Sequence, residues 1–576
     1  MFHFHERTLN LAACGLIAAA GVAAYSNTFD APFVLDGLPL AERLRTLAWN
    51  PSDWFGTNPR TIAYFTFDLQ YTLHGRWLFG FHAVNIAIHV FAALALFGTV
   101  LVTCNRPRMP AAIRHDATGI ALASALLFEL HPLQTQSVTY LYQRFESLMG
   151  MFFLVAIFCF AMAVRESATA ARHKAIWFFA SWVAVILSIG SKEVGAAAPL
   201  VLLWYDRVFV AASWRELWTR RWWFHLPFIA VYAAGAGFLY AKRDHYVAGG
   251  IFDTEKISPL AYALTQPEVI CHYLRLACWP RGLCLDWAWP LADTPGRIVP
   301  PLLAIVALLG FNAWATVRLP AAGFLLGSFF LILAPTSSFA PIVGLAFEHR
   351  MYLPLAPLAV LVVLASWTGT RRLAELLKTD PRAAPVMTTA AVLAVATALG
   401  VTTYLRNEVY RSGVTLWNDV LTKAPDNPRA YSSLAWHVEL ETGDKPEAIR
   451  LNRRALQIYP DIDTAHRGLA VLLYGSNRAE SVFHAREAVR IDRRADNLNN
   501  LGIVIAETAP AEAERCFREA IALDPRLTAA QLNLAKLLTV IARRAVGPSG
   551  IGPPAKPPAT PRHAAERAAP PATKAP

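Results

Sequence analysis

Charge is what this chain has least of. Only 16% of its 576 residues are Asp, Glu, Lys or Arg, against 55% hydrophobic residues and a mean hydropathy of +0.35. That scarcity excludes an ordinary soluble enzyme and points to a protein that crosses a membrane many times. Metal-ligating clusters are also missing: the one acidic doublet that suggests a ligand pair, Asp461 and Asp463, falls between repeats and reads as a helix-turn feature. No metal site is therefore assigned and no cofactor is implied; a divalent metal finds no support. Cysteine is sparse, with seven residues, of which Cys14, Cys104 and Cys159 lie in or at the ends of apolar runs. Cys271, Cys278 and Cys284 share one loop that is open to oxidation, with the connectivity unsettled.

What the chain has instead is a series of long apolar runs of the length that spans a hydrocarbon core as a helix. They fall near 9–25, 78–103, 117–132, 144–164, 175–190, 194–210, 224–241, 299–317, 321–339, 351–369 and 384–404, which predicts an all-α polytopic bundle of about 11 spans. A weaker segment, 258–280, carries Glu268, His272 and Arg275 and is expected to be re-entrant or interfacial. The first run, "LAACGLIAAAGVAAYSN", ends in small residues like a signal peptide, and we read it as an uncleaved anchor.

Cations are distributed unevenly among the connecting loops. One set holds Arg106, Arg108, Arg114, Arg165, Arg172, Arg207, Arg215, Arg220, Arg221, Arg318, Arg371 and Arg372, and the positive-inside rule makes it cytoplasmic. The alternate short loops contain only Arg144, Lys192 and Arg350, so they and everything after 405 are expected on the other face. The net charge of +12 reflects this topology plus a basic tail and gives no argument for a nucleic-acid partner.

After Tyr404 the pattern changes to a repeat. The segments "SLAWHVE", "GLAVLLY", "NLGIVIA" and "NLAKLLT" place Ala435, Ala470, Gly502 and Ala535 at intervals of 35, 32 and 33, the period of a tetratricopeptide array. The expected division is a membrane domain over 1–404, a tetratricopeptide α-solenoid over 405–540 and a tail over 541–576. The tail is rich in Pro, Ala and basic residues and has too few large apolar side chains to offset the entropy of ordering, so we expect disorder.

The cation-poor face carries the candidate chemistry. Each of its three loops couples a cation with a carboxylate: Arg144 with Glu146 in "YQRFES", Lys192 with Glu193 in "GSKEVG", and Arg350 with Glu348 in "FEHRMY". Ionisable groups at membrane depth are costly and usually pair or line a substrate path. Three such sets on one face suggest a shared polar cavity, while the plainer reading of each is an interfacial anchor. Asp36, in "FVLDG", begins a turn with Gly37 or, in apolar surroundings, acts as a general base. His82, Asn85 and His89 share one helical face, which interhelical hydrogen bonding explains without chemistry. His131 precedes Pro132, which ends a span at this same edge.

With these segments in view, the chain resembles the transmembrane and tetratricopeptide repeat-containing (TMTC) family of the GT-C glycosyltransferase superfamily. The likeness runs through "YSNTFDAPFVLDG", "NPRTIAYFTFDLQYTLHG", "GFHAVNIAIHV", "LFELHPLQTQSVTYLYQRFESL", "SKEVGAAAPLVLLWYD" and "FEHRMYLPL", and then through the repeats. It implies a GT-C-like bundle related to protein O-mannosyltransferases, moving a sugar, mannose in the namesake activity, from a polyprenyl phosphate to a hydroxyl, that of a protein Ser or Thr, on the non-cytoplasmic face. It also implies that Asp36 occupies the first-loop acidic position, although Gly37 stands where the family commonly has a second acid. Deprotonating the acceptor and stabilising the departing phosphate would fall to Asp36 and to Arg144, Lys192, His349 and Arg350 respectively. Glu146, Glu193 and Glu348 would orient those cations, with His82, His131 and Tyr352 in support. The repeats would capture a protein acceptor or partner. The absence of eukaryotic sorting signals suggests a bacterial inner membrane with the repeats in the periplasm; in a eukaryotic cell the same face would be the endoplasmic reticulum lumen. The competing readings are a non-catalytic membrane-anchored scaffold for envelope proteins and a polyprenyl-lipid transporter.

Overall fold

A computed structural model describes residues 2–35, 37, 40, 41, 44, 60–165, 171–241, 257–342, 344–378, 383–525 and 527–546. All of its regular elements are helical, and no strand occurs among the described residues. Among the described residues, six helices are long and apolar enough to cross a membrane: Arg7–Ala24, Leu78–Cys104, Leu141–Ala163, Ala171–Ser191, Pro295–Arg318 and Met387–Arg411. Ala117–Glu129, Pro227–Phe238 and Pro320–Leu333 are shorter apolar helices. The run expected over 194–210 is broken into a 3-10 turn, Glu193–Ala197, the helix Ala198–Tyr205 and a π-helical turn, Asp206–Val210.

The chain divides into two compact units, Met1–Ala465 and His466–Pro576. In the first, the most apolar windows of Leu78–Cys104 and Leu141–Ala163 are 61% and 72% buried, against 11% for Pro295–Arg318. The first two helices are therefore the centre of the bundle, and the third lies at its margin. Small residues let them approach: Ala92, Ala93, Ala121, Ala125, Ala156 and Ala161 are all buried in one core. The weak segment of the sequence forms a helix, Pro259–Cys278, started by the Ser258 hydroxyl accepting from the Ala261 amide and carrying Pro267 within it. It packs beside Pro295–Arg318.

Two ends of this unit are defined by their contacts. At one, Arg106 and Arg108 donate to the carbonyls of Phe209 and Val210, and Arg371 pairs with Asp116, so the cation-rich loops gather together. At the other lie the turns 131–144, 191–197 and 344–352.

The last span does not end the first unit. Ser412 caps the next helix, Gly413–Lys423, in a reciprocal box with Thr415, and Asn427 caps Pro428–Thr442. Gly443, with φ +72°, closes that helix in the left-handed region before Lys445–Ile458. Asn427 also donates to the Asp286 carbonyl, Arg429 pairs with Asp286, and Lys423 donates to the Leu283 carbonyl. In the second unit the helices Arg478–Ile491, Ala495–Ile505, Pro510–Leu523 and Thr528–Val546 enclose Ala485, Leu498, Leu501, Phe517 and Ala520. At Gly502 a Cβ would lie 2.6 Å from the Phe517 ring, so the lack of a side chain here sets how closely the two helices approach. All seven cysteines are free thiols, including Cys271, Cys278 and Cys284.

Candidate functional site

The end of the bundle opposite the cation-rich loops is built on three short turns. The first follows Ala117–Glu129, where Pro132 stops the helix. His131 then caps the 3-10 turn Pro132–Gln134, accepting from the Leu133 amide through Nδ1 at 3.2 Å and donating through Nε2 to the Ala277 carbonyl at 3.1 Å. His131 thus has both ring nitrogens engaged in holding the turn. The second turn is Glu193–Ala197 and the third Glu348–Met351.

Arg144, at the start of its helix, is 0% exposed. Its Nε donates to Asn85 Oδ1 at 2.6 Å and its Nη2 to the Phe81 carbonyl at 3.0 Å, while its guanidinium lies 4.1 Å from the Phe67 ring centroid. Nη1 has no hydrogen-bond partner, and no carboxylate pairs with it among the described residues. Asn85 is fixed in turn by donating to the Val138 carbonyl. His82 lies on the same helical face and donates through Nε2 to the Ala31 carbonyl at 2.9 Å. His89, one turn further, donates to the Glu129 carbonyl and accepts from the Tyr352 hydroxyl at 3.0 Å. Tyr352 fits there because residue 150 is Gly: a Cβ would stand 2.6 Å from its ring.

Lys192 forms a buried ion pair with Glu146. Burial lowers the Lys192 pKa, with Glu146 opposing that effect. Glu193, its sequence neighbour, accepts instead from Arg60 Nε at 3.1 and 3.2 Å. Burial raises the Glu193 pKa, but Arg60 outweighs it and holds the carboxyl below its usual range. Arg60 was not among the residues the sequence singled out. It precedes the helix Thr61–His74, and the fold brings it to Glu193, 133 residues further along the chain.

The third turn is clamped from both sides. The Tyr273 hydroxyl donates to the Phe347 carbonyl at 2.9 Å and accepts from its amide at 2.8 Å. The His349 amide donates to Gln136 Oε1 at 2.6 Å, tying this turn to the first. The His349 ring stacks on Phe347, its Nδ1 has no partner, and burial together with the nearby charges of Lys192, Arg350 and Arg60 pushes its pKa well below the usual value. Neutral imidazole is therefore its resting form. Arg350 donates to the carbonyls of Gly344, Leu345 and Thr336 at 2.6, 3.1 and 3.4 Å. Glu348 accepts from the Cys284 amide at 2.5 Å, and burial raises its pKa to about 7 against the opposing effects of Arg406 and that hydrogen bond.

The expected pairings are thus exchanged. Glu146 holds Lys192 and leaves Arg144; Glu193 holds Arg60 and leaves Lys192; Glu348 faces a backbone amide and leaves Arg350 to backbone carbonyls. Asp36 lies outside the described residues. Beside it, Gly37 is buried, with its amide on the Val34 carbonyl, and a Cβ there would meet Phe33 at 3.3 Å. Phe33 is in edge contact with Phe81, whose carbonyl receives Arg144. No group of three or more His, Cys, Asp or Glu placed to hold a metal occurs among the described residues.

No family model matches the chain. It is, however, similar over most of its length to members of the TMTC family. It is 25% identical over 565 residues to protein O-mannosyl-transferase Tmtc3 of Drosophila melanogaster, covering 84% of this chain and 59% of that one. The human protein O-mannosyl-transferase TMTC4 is 24% identical over 326 residues, covering 47% of this chain and 43% of the relative. The human protein O-mannosyl-transferase TMTC1 is 27% identical over 206 residues, covering 33% and 22%. The chain spans about half the length of the curated relatives it matches.

Proposed function

We propose, from this relationship to the TMTC protein O-mannosyl-transferases, that the chain is a membrane glycosyltransferase acting on proteins. Its donor is a polyprenyl-phosphate-linked sugar, its acceptor a Ser or Thr hydroxyl, and its working face the one bearing Arg144, Lys192 and His349. Mannose is the sugar in the relatives' names. The observation that carries the reading is Arg144: a buried guanidinium with a free N–H and no carboxylate partner among the described residues is costly to keep, and a phosphate supplies the missing anion.

In the reaction, the acceptor oxygen attacks the anomeric carbon and its proton passes to the Asp36 carboxylate. The bond from that carbon to the phosphate oxygen breaks, and the electron pair leaves with the phosphate. Arg144 meets the growing charge through Nη1. Lys192, which has three donor hydrogens and gives Glu146 only one contact, meets it as a point charge. His349, neutral at rest, donates a hydrogen bond to the departing oxygen and adds no full charge. Attack opposite the leaving phosphate inverts the anomeric centre. Arg60 and Glu193 hold the second turn in place, and Arg350 holds the third. The working face corresponds to the periplasm of a bacterial inner membrane, or to the endoplasmic reticulum lumen in a eukaryotic cell.

One observation favours a second reading, that of a membrane-anchored scaffold. Three hydrogen bonds from Arg350 go to its own loop, and the charges of Lys192 and Glu193 are met within the protein. Transfer from radiolabelled polyprenyl-phosphate mannose to envelope-protein acceptors, by purified protein in lipid, separates the two. The transferase reading expects label in the acceptor from wild type and its loss in Asp36→Asn and Arg144→Ala with folding intact. Transfer unchanged in Asp36→Asn removes the base, and no transfer from any donor leaves the scaffold.

A further inference from the structure

The other end of the first unit holds a second site. An apolar cavity of about 120 Å³ lies between the C-terminal half of Leu78–Cys104, Arg144–Ala163, Ala198–Tyr205, Pro320–Leu333 and Leu355–Leu376. Val100, Phe153, Tyr205, Phe209, Phe324 and Val360 wall it. Met109, Ile113 and Ala321, only half buried, form part of its rim. A cavity this apolar offers water no partners, and an empty one forfeits the contacts its lining would otherwise make. A hydrocarbon chain is the filling that suits it.

A cation marks the end of the cavity. Arg106 is 8% exposed, and its guanidinium lies 5.9 Å from the ring centroid of Tyr205. Its Nη1 reaches the Phe209 carbonyl only at 3.5 Å, and its Nε and Nη2 have no hydrogen-bond partner. Tyr205 and Phe209 are both wall residues, so the guanidinium and the cavity share a boundary. Among the described residues, the carboxylates of these loops are committed elsewhere. Asp206 accepts from Arg221 and His225, Asp116 from Trp367 and Arg371, and Glu216 from the Ala212 amide. Arg207 likewise has an Nε without a partner, and Arg108 donates to the Val210 carbonyl. This end therefore carries an uncompensated positive charge beside an apolar slot that opens at its rim.

We propose that the cavity and Arg106 bind one anionic glycerophospholipid, with a short stretch of one acyl chain in the cavity, the rest of that chain passing out through the half-buried rim, and its phosphate at Arg106. Charge complementarity argues for an acidic headgroup over a zwitterionic one, because a buried guanidinium is satisfied by an anion whose charge is not cancelled by an ammonium. The inserted stretch of acyl chain would occupy the space between these five helices, and the headgroup would close the loop that joins Cys104 to Ala111. Nothing in this site touches Arg144, Lys192 or His349, so it stands or falls apart from the transferase reading.

The test is native mass spectrometry of the purified protein after reconstitution in an equimolar mixture of phosphatidylglycerol and phosphatidylcholine. Wild type is expected to retain one phosphatidylglycerol in preference to phosphatidylcholine. Arg106→Gln should lower that retention about tenfold, and Arg106→Lys should keep most of it. Ala321→Trp, which narrows the rim with Arg106 intact, should lower it as well, and it decides the matter should Arg106→Gln not fold. Equal retention of the two lipids by wild type would overturn the proposal. So would unchanged retention in Arg106→Gln or Ala321→Trp, or a polyprenyl phosphate held in place of the phospholipid.

Discussion

The turns that carry Arg144 and Lys192 and the turn around Arg350 all bury cations at the same end of the bundle, yet they use them differently. In the former, side chains meet side chains: Arg144 reaches Asn85, and Lys192 reaches Glu146. In the latter, the cation meets backbone, with three carbonyls receiving Arg350. A guanidinium bound to loop carbonyls fixes the shape of the loop, whereas one held by a single amide and a single carbonyl keeps donors in reserve. Burial alone therefore does not mark a ligand-binding cation; the state of its remaining N–H groups does.

The largest effect that would sharpen this contrast is expected from Arg144→Ala. Transfer in the radiolabel assay should fall at least about 100-fold, the scale of losing a donor to a developing charge. Arg144→Lys should recover part of the folding and little of the transfer. If Arg350→Ala matched Arg144→Ala in transfer at equal stability, the contrast would be broken. The next effect is on stability. Glu146→Gln leaves Lys192 buried without its counter-charge and should cost about 3–5 kcal/mol, while the Glu146→Gln/Lys192→Met double variant should recover much of that. Denaturant unfolding in detergent of the four proteins of this cycle gives the coupling directly.

Arg350→Ala removes three hydrogen bonds and should destabilise by about 1 kcal/mol for each carbonyl that water cannot reach, with transfer falling only as far as folding does. Glu348 gives a smaller, pH-dependent effect. Its folded pKa of about 7 is above that of the unfolded chain, so the folded state holds the extra proton. Its contribution is fully present below the unfolded carboxyl value, near about 4.3, and is lost as pH rises toward 7. Glu348→Gln, which still accepts from the Cys284 amide, should flatten the unfolding midpoint between about pH 5 and 8. The smallest effect is expected from Arg60→Gln, because its pair with Glu193 is partly exposed and worth about 0–1 kcal/mol.

The sequence showed which residues gather at this end but not which of them touch. Hydropathy was enough to place the long helices, and the cation bias of the loops was enough to separate Arg106, Arg108 and Arg371 from Arg144, Lys192 and Arg350. Pairing by proximity along the chain failed for a geometric reason common to all three sets. Lys192 is extended, with φ −159° and ψ 148°, so the next side chain, Glu193, points the opposite way. Arg144 and Glu146 are two apart at a helix start, and Glu348 and Arg350 two apart in a 3-10 turn, spacings that do not put side chains on one face. Arg60 escaped notice because its partner is 133 residues away. The importance of Gly150 is likewise visible only once Tyr352 lies across it.

The loop between Cys278 and Pro295 has neighbours on two sides. Its Cys284 amide supports Glu348, and one residue earlier its Leu283 carbonyl receives Lys423 from beyond the last span. Cutting the gene where hydropathy ends, near residue 411, would remove Lys423, Asn427 and Arg429 together and leave Leu283 and Asp286 facing water. A truncation meant to isolate the membrane part should therefore keep the chain through Ile458, so that the helix closed by Gly443 and the one packed on it hold Lys423, Asn427 and Arg429 against the loop whose Cys284 amide supports Glu348.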